Sequence, residues 1–125
     1  MRADTNIIIE HLRWGGKQDS QLMKIAKEKP KEVLAISLLS VQELYEGRST
    51  RDDQKEQYLL ATISPLKILP YTYEIAQLAG EIARDLDQPI ELADAAISAT
   101  TILNAASLLT LNKKDFINIQ NLELL

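Results

Sequence analysis

Four separated segments carry the residues that could do chemistry: Asp4-Thr5-Asn6, Ser40-Val41-Gln42-Glu43-Leu44, Asp94 at the start of an Ala-rich stretch, and Thr110-Leu111-Asn112-Lys113-Lys114-Asp115. At least three stand where an apolar run gives way to a helix-like pattern. In a parallel α/β sheet such junctions gather on one edge, so carboxylates far apart in sequence can meet there. Converging carboxylates suit a hard cation, Mg²⁺ or Mn²⁺. The chain has no Cys and a single His, His11, so a multi-His zinc site and thiolate catalysis are both excluded.

Each segment also has a purely structural reading. Asp4 or Thr5 can cap a first helix, or Asp4 can hold a metal at the sheet edge. Ser40 and Glu43 have the spacing of a capping box, with Ser40 at the N-cap and Glu43 reaching back. The alternative points Glu43 into a site with Ser40 one turn away. Asp94 falls in the first turn of a helix, where the dipole favours negative charge. Its neighbours are Ala93, Ala95 and Ala96, and a carboxylate on so apolar a segment is costly to bury without a partner or a metal. Asn112 suits a turn, and Asp115 suits a surface beside Lys113 and Lys114; either could instead serve the site. His11 reads as exposed or packed, and the Arg48, Arg51 and Lys55 cluster as a solvated helical face.

The elements that must position these residues follow from apolar spacing. Met1 to Ala3 is the stub of a strand. Thr5 to Arg13 forms a first helix, ended by Gly15-Gly16, and a second starts near Asp19 or Ser20 and stops before Pro30. Val33 to Leu39 is a buried-type strand, and Ser40 opens a helix ending at Gly47. Arg51 to Ile63 is helical, and Leu66 to Leu69 is a strand closed by Pro70. Thr72 to Leu86 has the strongest helical period: Ile75, Leu78, Ala79, Ile82, Ala83 and Leu86 share one face. Glu91 to Ala105 is the next helix, Ser107 to Leu111 a strand, and Leu122 to Leu125 a last short strand. Helices alternating with short apolar strands predict an α/β fold with a mainly parallel sheet.

The bulk numbers narrow the class. At 125 residues the chain suits one domain, 1–125, with one core. It is 46% hydrophobic and 26% charged, which is the composition of a globular protein. Only 5% is aromatic, too little for a base-stacking platform. The net charge of −4 argues against a broad basic surface for nucleic acid, although a metal can offset acids in a site. No signal peptide or membrane span is apparent, which makes the expected location cytoplasmic. There is no Walker loop, G-x-G-x-x-G or nucleophile elbow.

Taken together, the four segments resemble the PIN-domain family, most closely its VapC-type toxins of bacterial toxin–antitoxin pairs. Asp4-Thr5-Asn6 is similar to the family's first motif. Ser40-Val41-Gln42-Glu43-Leu44 with Gly47 is similar to its second. Leu92-Ala93-Asp94-Ala95-Ala96-Ile97-Ser98-Ala99 is similar to its third, and Leu109 to Phe116 to its fourth. The resemblance spans nearly the whole chain. It implies a three-layer α/β/α sandwich and a Mg²⁺- or Mn²⁺-dependent endoribonuclease. Asp4, Glu43, Asp94 and Asn112 would form the catalytic set, and Asp4, Glu43, Asp94 and Asp115 the metal ligands. It also implies an RNA substrate, a cognate antitoxin that covers the acidic pocket, and a homodimer.

Two departures from the family pattern stand out. Asn112 occupies a position that usually carries an acid, which favours one metal over two. The strand before Asp4 is also short. Two rival functions remain: a catalytically weak module acting mainly by binding an antitoxin, and an aspartyl-phosphate phosphatase with Asp4 as nucleophile. The latter expects a second acid where Asn6 stands.

Overall fold

The computed structural model describes residues 1–125. The strands are β1 (Arg2–Ala3), β2 (Ala35–Ser37), β3 (Lys67–Leu69), β4 (Ser107–Leu109) and β5 (Glu123–Leu124). The helices are α1 (Thr5–Trp14), α2 (Gln21–Glu28), α3 (Leu38–Glu46), α4 (Asp53–Ile63), α5 (Tyr73–Asp85) and α6 (Leu92–Leu103). All strand pairs are parallel, in the order β3-β2-β1-β4-β5. The expected three-layer α/β/α sandwich is the fold observed. No helix is long and apolar enough to cross a membrane.

Strand alternation sorts side chains between the two layers. Ala3, Ile36 and Leu109 pack with Ile7, Ile8, Leu22, Leu44, Leu59 and Ile63 of α1 to α4. On the other face, Leu108 packs with Ile97 of α6, Phe116 and Ile119. A neighbouring cluster of Ile75, Ala79, Ala95 and Ala99 joins α5 to α6. The small residues of α6 let it lie close, so every residue from Ala95 to Thr101 is buried. Its hydroxyls meet their hydrogen-bonding needs within the helix: Ser98, Thr100 and Thr101 donate to the carbonyls of Asp94, Ala96 and Ile97.

Several boundaries differ from expectation, each for a local reason. The strand expected over Val33 to Leu39 spans only Ala35–Ser37, and Val33 and Leu38 are 64% and 49% exposed. The helix that follows begins at Leu38, because the Ser37 hydroxyl accepts from the Leu39 amide at 3.1 Å. Ser40 therefore lies inside α3, and the Ser40–Glu43 capping box does not form. The strand expected through Leu111 stops at Leu109. Glu91 takes the N-cap position of α6 without a side-chain cap bond.

A candidate metal centre at the sheet edge

Parallel pairing brings the ends of β1, β2 and β4 to one edge. Asp4 follows β1, Glu43 lies on the helix after β2, and Thr110 follows β4. Asp94 enters from the first turn of α6. Asp4, Glu43, Asp94, Asn112 and Asp115 all line one cavity of about 410 Å³. The short 3-10 turn Lys113–Asp115 carries Asp115 back toward it. The sequence pattern missed two further acids of the cavity, Glu46 and Glu91. Each stands three residues from a recognised acid on the same side of a helix, a spacing that could have found them.

Asp4 takes the capping role read for it from the sequence and also lines the cavity. It is the N-cap of α1, and its Oδ1 accepts from the Thr5 amide at 2.7 Å. Its Oδ2 accepts from the Thr110 hydroxyl at 2.8 Å. Thr110 in turn accepts from Asn6 Nδ2 at 3.3 Å and from the Asn112 amide at 3.1 Å. One donor and two acceptor positions are then all used, which is the full capacity of a hydroxyl. Asn6 closes the loop by accepting from the Leu111 amide at 3.3 Å. Asn6 thus fastens the β4 exit and offers no second acid beside Asp4.

Thr5 organises the next carboxylate. Its Oγ1 lies 2.7 Å from Glu43 Oε1 and 2.8 Å from Ser40 Oγ. A hydroxyl has one proton, and donation to the carboxylate is the stronger use of it. Ser40, wholly buried, then supports Thr5 from behind.

The electrostatics show how crowded the acids are. Burial, opposed by the bonds from Thr110 and Thr5, leaves the Asp4 carboxyl above its ordinary value. Asp94 is pushed up to about 6, first by desolvation and then by Asp4, Glu91, Asp115 and Glu43. An all-oxygen set of this kind fits a hard divalent cation in donor chemistry. In the rotamers held, no three acids stand close enough to grip one ion.

Arg2 was also missed. It sits on β1 two residues before Asp4, and its side chain is 0% exposed. Its Nη1 donates to the Ile97 carbonyl at 3.2 Å and to Thr101 Oγ1 at 3.3 Å, both on α6. Its Nε and Nη2 have no partner. Burial lowers its pKa to about 10, against the pull of Asp4 and Glu43, so it stays charged at neutral pH. A charged residue in a two-residue strand gave no sign of this burial.

The other singled-out residues lie elsewhere. His11 Nδ1 is 2.8 Å from Ser20 Oγ, and its Nε2 is 3.4 Å from the Tyr58 hydroxyl, so it ties α1 to α2 and α4.

An all-parallel sheet with helices on both faces and an acid-lined cavity at its edge defines a three-layer α/β protein with an acidic site. The model of the PIN domain matches residues 2–122, and the chain belongs to that family. VapBC2 from Rickettsia felis, bound to a DNA fragment from its promoter, is similar at 25% identity and TM-score 0.85, covering 99% of this chain and 96% of that one. A toxin–antitoxin complex from Klebsiella pneumoniae is similar at 28% identity and TM-score 0.75, covering 97% and 93%. The DNA-bound VapBC from Salmonella typhimurium shares the fold at 21% identity and TM-score 0.84, covering 99% and 95%. No curated protein matches the chain.

Proposed function

We propose that the chain, as a single domain, is a metal-dependent endoribonuclease and the toxin of a type II toxin–antitoxin pair. The observation that carries the reading is the meeting of Asp4, Glu43 and Asp94, from three separate elements, in one cavity. Membership of the PIN domain family and likeness to VapBC and toxin–antitoxin complexes support it. Asp4, Glu43 and Asp94 hold a Mg²⁺ or Mn²⁺ ion, with Asp115 as a further ligand. A divalent ion supplies Lewis acidity toward water and the scissile phosphate. Thr110 and Thr5 fix the carboxylates of Asp4 and Glu43, so less reorganisation is needed when substrate arrives. Asn112 offers a neutral amide that orients the attacking water or a phosphate oxygen. The protein acts in the cytoplasm as a homodimer, and a cognate antitoxin covers the cavity.

Purified protein incubated with RNA and Mg²⁺ or Mn²⁺ tests the enzyme. Cleavage should be lost in Asp94→Ala, and equal cleavage by both proteins removes Asp94 from the site. Expression of the chain alone in bacteria tests the toxin: growth arrest relieved by Asp4→Ala supports it.

A second reading rests on the splayed acids and on Asn112: a PIN module that cuts weakly and acts mainly by binding its antitoxin. Calorimetric titration with Mn²⁺ separates the two. Binding lost in Asp4→Ala supports the enzyme, and no binding supports the module.

A further inference from the structure

Arg2 is the one fully buried cation of the chain, and nothing in the reading of the site so far uses it. Strand alternation puts it on the same face of the sheet as Asp4, two residues along. Its fork ends on Ile97 and Thr101, one and two turns beyond Asp94 on α6. It therefore lies between the strand that delivers Asp4 and the helix that delivers Asp94. Neither ion pair of the structure, Lys27–Asp19 or Arg84–Asp85, involves it. A salt bridge thus does not explain its burial, and half-satisfied packing explains it poorly, since Nε and Nη2 are left unpartnered. An apolar residue would fill the place at lower cost. What an arginine adds here is a fixed positive charge, held between β1 and α6, that attracts Asp4 and Glu43, two of the six carboxylates lining the cavity.

We propose that Arg2 is a positioning residue of the acidic site, an internal cation that offsets the charge of Asp4 and Glu43 and thereby limits how strongly the cavity draws divalent ions. The inference rests on the metal-site reading above. It also gives Asn112 a context: with one acid fewer in the fourth segment and one cation built in between β1 and α6, the cavity needs less external charge. The neighbouring alanines make room for it, since Ala35 on β2 is its register partner and Ala96 precedes its contact on α6.

Two measurements test the proposal separately from the site. In Mn²⁺ titrations by calorimetry, Arg2→Met should bind the ion at least about tenfold more tightly than wild type, because a repelling charge is gone. Arg2→Lys should stay within about twofold of wild type. A merely structural role predicts the reverse, weaker binding as the packing between β1 and α6 loosens, and that result overturns the proposal. The second measurement contains no metal. In EDTA, Asp4→Asn should raise the melting temperature more in the Arg2→Met background than in wild type, since in wild type it also forfeits attraction to Arg2. Equal shifts in the two backgrounds overturn the proposal. If wild type binds no Mn²⁺, the metal-site reading fails by itself, and the EDTA comparison still decides the role of Arg2. Should Arg2→Met not fold, Arg2→Gln carries both comparisons with the same expected directions.

Discussion

The Thr110 hydroxyl donates to Asp4 Oδ2 at 2.8 Å, joining the ends of β4 and β1 beside the acidic cavity. It is the central bond of a small network, because the same oxygen accepts from Asn6 and from the Asn112 amide. Thr110→Val keeps the shape and removes all three bonds. A hydrogen bond to a charged group contributes about 1.5–3 kcal/mol, so urea denaturation at neutral pH should show a loss of about 2 kcal/mol or more. RNA cleavage should fall in parallel, and Thr110→Ser should retain most of both. An unchanged denaturation midpoint in Thr110→Val would show that the network is idle.

Thr5 plays the corresponding part for Glu43. Thr5→Val leaves Glu43 Oε1 without its donor and Ser40, wholly buried, without its partner. The expected cost is about 1–3 kcal/mol, with cleavage reduced more than stability alone explains. Comparing cleavage at a temperature where both proteins are fully folded isolates the second effect. Equal rates there would mean that Glu43 needs no orientation by Thr5.

The sequence made the layered architecture and the shared edge legible because the periodicities were long: α5 repeats its apolar face over several turns, and Ala95 to Thr101 is buried without a break. Strand ends were not legible. Val33 and Leu38 are apolar yet exposed, so an apolar run overstates the length of β2. The Ser40–Glu43 spacing looked like a cap, but Ser37 was an equally good cap three residues earlier and took the role. Single-site spacing cannot rank two such serines, because the outcome depends on where the sheet stops pairing. The bond of Thr110 to Asp4 and the burial of Arg2 were not legible for a related reason. The partners of these two residues, Asp4 in one case and Ile97 and Thr101 in the other, lie about a hundred residues away in sequence, and only strand register brings them together.

The raised pKa of Asp94 fixes the sign of a pH effect. Its folded value is about 6 against 3.8 for the ordinary side chain, so the folded state holds the proton more tightly. Stability from this group is therefore fully present below about pH 4 and is lost as pH rises toward 6. In EDTA at pH 7, Asp94→Asn should melt higher than wild type, and the gap should close as pH falls to about 4. Asp94 is half-buried, so solvent screening keeps the effect moderate. Mg²⁺ should stabilise wild type and do little for the variant. A gap that is constant with pH would mean that the carboxyl is not strained by its neighbours.

Ala105 offers a stability change away from the cavity. Its φ of 51° lies in the left-handed region, at the turn from α6 into β4. A left-handed alanine costs about 1–2 kcal/mol, and glycine avoids this at a smaller cost in chain entropy. Ala105→Gly should therefore gain about 0.5–1 kcal/mol in chemical denaturation with cleavage unchanged. A loss of stability would show that the turn is held by something other than its backbone angles.

Asn112 decides how much charge the cavity can hold. It is exposed, its side chain makes no hydrogen bond, and its backbone is already anchored to Thr110, so the side chain is free to change identity. Asn112→Asp adds a seventh carboxylate to the six already there. Without metal, the added repulsion should lower the melting temperature and push Asp94 further above its ordinary value. With Mn²⁺, the extra charge is answered, so binding should tighten by about tenfold or a second ion should enter, as calorimetric stoichiometry would report. The two effects have opposite signs in the same variant, which sets them apart from simple misfolding. If Asn112→Asp leaves both the metal-free melting temperature and the Mn²⁺ isotherm unchanged, the side chain does not face the acids, and the fourth segment contributes to the site only through Thr110 and Asp115.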